Sequence, residues 1–526
     1  MHFSVFLVLF MCFCVINCSG GVPTCRQKVE GYVYTTLRCF NNTQSFPVAD
    51  KPVISLECFD CNIPVLNQET ILKRFVGEAF NLSNSHIHVI SENVFSEFTK
   101  KTQRFIFENN EIDDVSPKVF SKFSKLEEIN FRNSKISQLT AGIFDGTYVT
   151  ELTLSENLFS GIDRIFEGLK VTRLNLSSNN IREIRKDSFA RTIFIEGNVF
   201  PRDQRLDLSN NLIEKIYSGG FKCSDVNNCV KILELAKNSI TRIESYTFLE
   251  NSYLSELSLS ENSITQLESN SFRGLINLKS LNLRHNLIQN IPVSMFADLQ
   301  QLKTLDLSQN LISLLQLNTF SGLTSLEILN ISHNSLETFN HLHILPLGRL
   351  TDLDISDIKL HHLNLTLILH TNFKLRNLIL NDNFWICSDL IDLYKEMNKF
   401  GGFKSPTRHF EISNLHGIAC SRQKLDSYED LTFNKFLKIV SEDKQTTDWF
   451  DLKLHTNENI YTNDYAGNYL KKIYGMFVFI VIIVVLIIAY CIIKLIMQCL
   501  YDHNILKFHR LSFLYVQDQR NVQVCS

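Results

Sequence analysis

The sequence predicts an α/β-type repeat solenoid, a stack of coils in which each coil contributes one short parallel β-strand. Three recurring features predict it: a pair of apolar residues two apart that recurs about every 24 residues, an Asn five residues after the start of the pair, and a Phe fifteen residues after it. Residues 278–301, LKSLNLRHNLIQNIPVSMFADLQQ, contain all three. Their apolar spacing is two at Leu281 and Leu283 but three elsewhere, so neither a strand nor a helix alone explains it. Each block is therefore one coil, of which only the first third is a strand.

The first residue of each pair, here called the origin of its coil, sets the register of the repeat. A self-similar period of 20 to 29 residues is typical of a solenoid. Both members of the pair point into the core, while the residue between them faces solvent. The origins are Leu56, Phe80, Phe105, Ile129, Leu152, Leu174, Leu206, Leu233, Leu257, Leu281, Leu305, Leu329, Leu353 and Leu378.

The Asn and Phe columns are predicted to be structural. At the end of each strand the chain turns, and its backbone groups lose their hydrogen bonds to the neighbouring strand. A buried carboxamide can bond these groups instead. A Phe at the back of each coil fills its wide side and explains much of the high Phe content, 40 residues. The Asn column has gaps at Ser85, Ser134 and Ile358, so we expect looser coils near the ends. The Phe column is Phe95, Phe120, Phe144, Phe166, Phe189, Phe221, Phe248, Phe272, Phe296 and Phe320, with Phe166 one residue early.

This pattern resembles the extracellular, 24-residue class of animal leucine-rich repeats, as in Toll ectodomains and insect single-pass membrane receptors. The resemblance covers residues 25 to about 420. It implies a leucine-rich-repeat horseshoe with a parallel β-sheet on the concave face, cysteine-containing end caps, and a concave sheet that usually binds proteins. The shared residues are the buried ones, so the resemblance does not indicate the ligand.

Two apolar segments predict a single-pass type I membrane protein. Residues 3–16 form the core of a signal peptide, with cleavage expected near Gly20. Residues 473–493 carry no charge, and 21 residues of helix span roughly 31 Å, about one hydrocarbon thickness. We therefore expect the ectodomain outside the cell at the plasma membrane. The tail of 494–526 is too short for a kinase or a Toll-type signalling domain.

Eight cysteines lie in the predicted ectodomain, and an even number in an oxidising compartment indicates disulfides. Cys58 and Cys61 fall in the first coil and belong to an N-terminal cap with Cys25 and Cys39, in a connectivity that the sequence leaves open. Half a zinc site at Cys58-x-x-Cys61 is the alternative, although no second such motif accompanies it. A local bridge is expected in the insert that holds Cys223 and Cys229. The C-terminal end resembles the cap of such receptors, with Cys387 and Cys420 closing a loop.

The register divides the chain and marks its irregularities. Eight extra residues between Leu174 and Leu206 predict a protruding loop, since Ile193 and Ile195 mimic a repeat start that cannot complete a coil. The predicted boundaries are 1–20 signal peptide, 21–75 N-terminal cap with the first coil, 76–377 repeats, 378–420 C-terminal cap, 421–472 juxtamembrane stalk, 473–493 transmembrane helix and 494–526 cytoplasmic tail.

Outward strand positions in the middle coils are the candidate ligand-binding residues. They are polar and of mixed sign, which suits a protein partner better than a lipid or an apolar small molecule. Glycans on Asn81, Asn175 and Asn330, which share this outward slot, would direct binding toward residues 206–310 or to an edge of the sheet. The candidates are Asp207, Glu234, Glu256, Ser258, Asn282, Arg284, His285, Thr304 and Asp306, and the sequons are Asn41, Asn81, Asn175, Asn330 and Asn364.

Composition and motifs argue against several other functions. The formal charge of −3 does not suggest nucleic-acid binding. The motifs HExxH, GxSxG and the phosphate-binding loop are absent, so neither an enzyme nor a cofactor is expected. His341, His343, His361 and His362 are close in sequence, but their slots face different sides of adjacent coils, which disfavours a metal site. Three roles stay open: a recognition, adhesion or co-receptor protein, an innate-immune recognition or decoy protein, and a tethered structural scaffold. A homodimer is a further option.

Overall fold

The computed structural model describes residues 24–30, 34–40, 46, 51–59, 61–73, 75–123, 125–196, 204–223, 228–336, 338–400, 414–415, 418–421 and 435–438. All of the described residues belong to one compact unit, within residues 1–444. The predicted signal peptide, transmembrane helix and tail, and the sequon at Asn41, lie outside the described residues. Within the described part of the chain, no helix combines the length and the apolar composition that a bilayer span requires.

The described part consists mainly of short strands. The strands are β1 (Thr24–Glu30), β2 (Tyr34–Phe40), β3 (Val53–Phe59), β4 (Val65–Leu66), β5 (Ala79–Asn81), β6 (Val89–Ile90), β7 (Arg104–Ile106), β8 (Asp114–Val115), β9 (Leu126–Asn130), β10 (Tyr148–Thr153), β11 (Lys170–Asn175), β12 (Glu183–Ile184), β13 (Ile193–Phe194), β14 (Arg205–Asp207), β15 (Lys215–Ile216), β16 (Ile232–Glu234), β17 (Arg242–Ile243), β18 (Glu256–Ser258), β19 (Gln266–Leu267), β20 (Ser280–Asn282), β21 (Thr304–Asp306), β22 (Ile328–Asn330), β23 (Asp352–Asp354), β24 (Asn377–Ile379), β25 (Trp385–Ile386), β26 (Asn414–Leu415) and β27 (Ile418–Ser421). The helices are α1 (His341–Ile344), α2 (Leu365–Thr371) and α3 (Cys387–Phe400).

One long parallel sheet joins the coils in the predicted register. Each origin pairs with the next, from Leu56 beside Phe80 through to Leu353 beside Leu378, which confirms the repeat solenoid. The sheet also extends one strand further than predicted, because Leu37 of β2 lies beside Leu56, and β1 closes this edge as an antiparallel partner of β2. Two-residue strands form separate small parallel ladders farther along the coils.

The Asn column bonds neighbouring coils to each other, as predicted. The Asn286 amide donates to the carbonyls of Leu259 (3.0 Å) and Leu283 (3.1 Å), and its Oδ1 accepts the Ile264 N–H (3.0 Å). The residue before each Asn has left-handed backbone, with φ of 55° at His285. A sharp turn therefore follows each strand, and the carboxamide bonds the backbone groups that this turn exposes.

The gaps in the Asn column are compensated, contrary to the expected looseness. At Ser134 the Asn of the next coil, Asn157, accepts two backbone N–H groups, those of Ser134 and Ile136, both at 3.0 Å. Asn383 does the same for Ile358 and Leu360, at 3.0 Å each. In the coils that lack the Asn, the free backbone N–H groups are thus bonded by the Asn side chain of the next coil.

The Phe column forms a continuous stack along the back of the coils. From Phe144 to Phe320, the centroids of successive rings lie 5.9–6.5 Å apart and their interplanar angles are 7–13°. Beyond Phe320 the same slot holds Ile344 of α1 and Ile368 of α2, both fully buried. Short helices therefore replace the turns at the point where the aromatic stack ends.

The predicted protruding loop begins inside the sheet, which corrects that prediction in part. Strand β13 pairs with the first half of β11, and Phe194 is buried. Strand β14 then pairs with the second half of β11, and the side-chain amide of Gln204 donates to the carbonyl of Phe194 (2.7 Å). The first residues of the insertion thus belong to the sheet, where the buried Phe194 packs against the core. Asn198 and Phe200 lie outside the described residues.

Four disulfides pair the eight cysteines of the predicted ectodomain: Cys25–Cys39, Cys58–Cys61, Cys223–Cys229 and Cys387–Cys420. The bond between Cys58 and Cys61 excludes the alternative of half a zinc site.

At the C-terminal end, buried Trp385 donates its indole N–H to the carbonyl of Leu380 (2.8 Å). Phe436, in the segment assigned to the stalk, is also buried, with its ring 5.4 Å from that of Phe384.

Candidate protein-binding face

The solvent side of the parallel sheet, here called the sheet face, presents the candidate residues in two rows. In β14, β16, β18, β20 and β21 the middle residue is buried and its two neighbours face outward. Asp207, Glu234, Ser258, Asn282 and Asp306 follow one another on adjacent strands.

The second row lies one residue before the origins and includes Glu256 and Thr304, with Ser280 between them. Arg284 and His285 follow the end of β20 and are exposed. The structure therefore brings all nine candidates onto one surface, although their role in binding stays a prediction.

Three of the candidates also close the turn after their own strand. Oδ1 of Asp207 accepts the Ser209 N–H (2.9 Å), and Oδ1 of Asp306 accepts the Ser308 N–H (2.9 Å). Asn282 makes the same bond with the Arg284 N–H (3.0 Å). A short Asx side chain that bonds the backbone two residues on stabilises a turn. One oxygen of each side chain is thus committed to the fold.

Charged side chains on the sheet face are largely paired across coils. Arg205 contacts Glu234 at 2.6 Å, and Arg173 contacts Glu151 at 3.0 Å. Arg132 donates to Glu156, and this hydrogen bond together with the carboxylate charge raises the pKa of the arginine. Glu234 is therefore held by a neighbour, which leaves it less free to rearrange around a ligand.

Glu256, Arg284 and His285 are the most accessible of the candidates. Arg284 donates its Nε–H to Gln309 (2.9 Å) and keeps its remaining donors. The backbone N–H of His285 donates to the carbonyl of Ser308 (2.9 Å), which fixes the backbone that carries the exposed imidazole. These three side chains are the ones that a partner would contact with least rearrangement.

Two apolar residues on the sheet face were missed by the sequence reasoning. Ile232 and Ile328 occupy the outward slot before the origin, and Ile328 is exposed. The sequence does contain a signal for them. In the coils between Ile232 and Ile328 the residue before the origin is polar, so an apolar residue in this slot departs from the pattern. Both belong with the second row as candidates for contact with a partner.

The histidines do not converge on a metal. His343 is buried and its Nδ1 accepts the Asn340 N–H (3.1 Å), while His362 lies 3.1 Å from Asp389. Among the described residues no three His, Cys, Asp or Glu side chains are arranged to hold a metal ion.

Comparisons with known proteins agree with this geometry. A model described as Leucine rich repeat matches residues 229–288 and 276–336, and one described as BspA type Leucine rich repeat region (6 copies) matches residues 77–196. Neither describes a catalytic domain. No curated protein matches the sequence. Residues 77–196 and 229–336 are therefore leucine-rich repeats, and the described solenoid has the leucine-rich-repeat fold.

Among solved structures, the chain is similar to Drosophila Toll in the Toll–Spatzle complex. The glycosylated form gives a TM-score of 0.54 at 17% identity, over 73% of this chain and 52% of that one. A second structure of the complex gives 0.52 at 17% identity, over 70% and 50%. A chain of the LRIM1/APL1C complex gives 0.47 at 16% identity, over 95% and 96%. The chain spans about half the length of the Toll chains it matches, and at this identity the likeness is one of fold.

Proposed function

We propose that this is a cell-surface leucine-rich-repeat protein that binds a protein ligand or partner receptor through its sheet face, in recognition, adhesion or co-receptor signalling. The observation that carries the proposal is the pair of outward rows from Arg205 to Asp306, polar except at Ile232 and held in register by a parallel sheet. Because the backbone and many of the charges are already fixed, binding orders little of the chain and loses little entropy.

The membrane arrangement is part of the proposal. The apolar segments 3–16 and 473–493 support a cleaved signal and one transmembrane helix, with the solenoid outside the cell at the plasma membrane. The four disulfides support an oxidising compartment for the solenoid. Two copies are also proposed to associate as a homodimer.

Glycosylation would define the free part of the sheet face. The sequon Asn175 lies beside Asp207, and the sequon Asn330 lies beside Asp306. Both asparagines use Oδ1 to accept the N–H of the Ser two residues on (3.0 Å each), which leaves Nδ2 for a glycan. Glycans there would border the candidate rows on both sides. The binding site is therefore proposed within residues 206–310.

The experiment is a binding screen, in which full-length protein on cells is probed with an array of soluble ectodomains. Once a partner is found, Arg284→Glu is expected to weaken its binding by about tenfold or more, because a reversed charge at a contact leaves groups on both sides unpaired. Arg273→Glu is the matched control, since Arg273 is exposed and lies on the back of the solenoid. Equal binding by the two variants would refute the sheet face as the site.

A second candidate function is innate-immune recognition, either as a sensor or as a decoy. The observation that favours it is the likeness to Toll, whose complex with Spatzle is described as a hub in development and innate immunity. Binding of a microbial product in the same screen would favour this role. Binding of a protein displayed by another cell would favour adhesion.

A further inference from the structure

One flank of the solenoid carries ion pairs between neighbouring coils along much of its length. This flank comprises the positions six to thirteen residues after each origin. Lys215 lies 3.4 Å from Glu244, and Arg242 lies 2.9 Å from Glu268. The flank is thus largely a charged, solvated surface on which each coil is tied to the next.

The coils of Leu281 and Leu305 break this pattern. At these positions, residues 287–294 and 311–318 contain no ionisable side chain, whereas every other coil has at least one. Large apolar side chains, each between 42% and 55% exposed, stand there instead. The five residues, here called the apolar flank, are Leu287, Val293, Leu311, Leu314 and Leu317.

The apolar flank lies on two adjacent coils. Strands β20 and β21 are adjacent in the sheet, and the Leu311 N–H donates to the carbonyl of Ile288 at 3.0 Å. Leu311 therefore lies beside Leu287, which has the same slot in the preceding coil. Leu317 and Val293 also share a slot, and Leu314 lies between Leu311 and Leu317 in sequence. Five apolar residues scattered over the surface would need no explanation, but five on the same flank of two adjacent coils do.

We propose that two copies of this chain associate through the apolar flank about a two-fold axis. In such a dimer the same patch meets itself, and an uncharged patch does so without the like-charge contacts that the rest of the flank would make. Its exposed apolar surface is on the order of 400 Å², close to the apolar share of one side of a standard interface of about 800 Å² per partner.

The inference rests on the proposed homodimer and assigns its contact to the apolar flank. It does not depend on partner binding at the sheet face, because the outward strand residues and the apolar flank occupy different positions of the coil. None of the sequons Asn81, Asn175, Asn330 and Asn364 belongs to the apolar flank.

The test is co-purification of two differently tagged copies of the full-length chain from cells. Wild-type copies are expected to co-purify, and Leu311→Asp combined with Leu314→Asp is expected to lower the recovery at least tenfold. Ile276→Asp is the matched control, because Ile276 is 52% exposed and lies outside the apolar flank. Wild-type copies that fail to co-purify, or a double variant that co-purifies like wild type, would overturn the proposal.

A second variant makes the test independent of any folding defect in the double variant. Leu314→Cys adds a thiol to a solenoid whose eight cysteines are already paired, and a short bis-maleimide reagent can then link two copies on intact cells. A product of twice the chain mass is expected from Leu314→Cys and not from Ile276→Cys. Linkage to a protein of another mass, or equal yields from the two variants, would contradict self-association. Arg284→Glu should leave this linkage unchanged, which separates failure of the dimer from failure of partner binding.

Discussion

At the scale of single residues, the buried carboxamides decide whether the turn after each strand is stable. Asn262 donates to the carbonyls of Leu235 (2.9 Å) and Leu259 (3.0 Å), which belong to two successive coils. No apolar side chain can make these bonds, and a buried backbone group without a partner costs about 1–3 kcal/mol. Each Asn is therefore a bond between coils as well as a support for its own turn.

Asn286→Ala is expected to destabilise the solenoid by about 2–4 kcal/mol, because the change leaves several buried backbone groups unpaired. The measurement is the urea midpoint of the purified protein. Asn290→Ala, at an exposed position of the same coil, serves as the control and should change the midpoint little. Similar shifts for the two variants would show that the Asn column does not hold the coils together.

His343 should make the last coils sensitive to acid. Burial lowers the pKa of His343 below its ordinary value, so at mildly acidic pH the unfolded chain binds a proton that the folded chain does not. Stability is therefore expected to fall as pH drops through about 6.5, the ordinary histidine value. The measurement is the thermal midpoint between pH 7.5 and 5.5 for wild type and His343→Gln. Parallel pH curves for the two proteins would exclude this contribution.

At the scale of elements, the back of each coil changes where its aromatic residue is lost. Up to Phe320 a turn presents Phe to the stack, and an aromatic pair contributes about 0.5–1.5 kcal/mol beyond area burial. Ile344 and Ile368 are smaller, and there the chain forms α1, which also buries His343, and α2, which also buries Leu365 and Leu369. The Asn340 and Asn364 side chains cap these helices by accepting the Leu342 and Leu367 N–H groups.

Phe248→Ala in the middle of the stack is expected to destabilise the protein by about 3–5 kcal/mol, because it leaves a cavity between two rings. Its control is Phe373→Ala, since Phe373 is 67% exposed and should contribute within about 0.5 kcal/mol. The measurement is the free energy of unfolding of both variants, obtained by chemical denaturation. A small cost for Phe248→Ala would mean that the stack relaxes to fill the gap.

The sequence was most informative about elements whose side chains repeat in every coil. Inward aliphatics such as Leu281 and amides such as Asn286 recur because the same packing problem recurs, so their periodicity reveals the register. Compensation between coils is not periodic, and the double bonding by Asn157 and Asn383 therefore escaped prediction. The pairing of Phe194 with β11 also escaped prediction, because a regular repeat gives each strand one following partner, whereas β11 pairs with β13 along its first half and with β14 along its second.

The candidate face could be predicted only in part. Register alone identified the outward slots, and the structure places Glu256, Arg284 and Asp306 there. Register did not show that Asp207 and Asp306 close turns, because those bonds go to the backbone N–H two residues on in the same turn. It also did not show that Glu234 is paired, because its partner Arg205 lies in another coil. The accessible subset, Glu256, Arg284 and His285, emerged only from the geometry.

At the scale of the whole molecule, the solenoid separates two surfaces with different chemistry. The sheet face is polar, ordered by cross-coil pairs and bordered by sequons, which suits selective contact with a protein. The apolar flank is uncharged and suits self-association. A single chain could thus bind a partner and pair with a copy of itself without competition between the two contacts.

A glycan placed on the sheet face tests most directly whether partner binding occurs there. Arg284→Ser completes an Asn-x-Ser sequon at Asn282 with the turn geometry of the sequon at Asn330, and Lys279→Ser completes one at exposed Asn277, before the strand. Arg284→Ala controls for loss of the charge. We expect both Ser variants to gain one glycan, and only the glycan at Asn282 to abolish binding of the partner found in the screen. Undiminished binding with that glycan attached, or no glycan on either variant, would contradict an extracellular sheet face that binds protein.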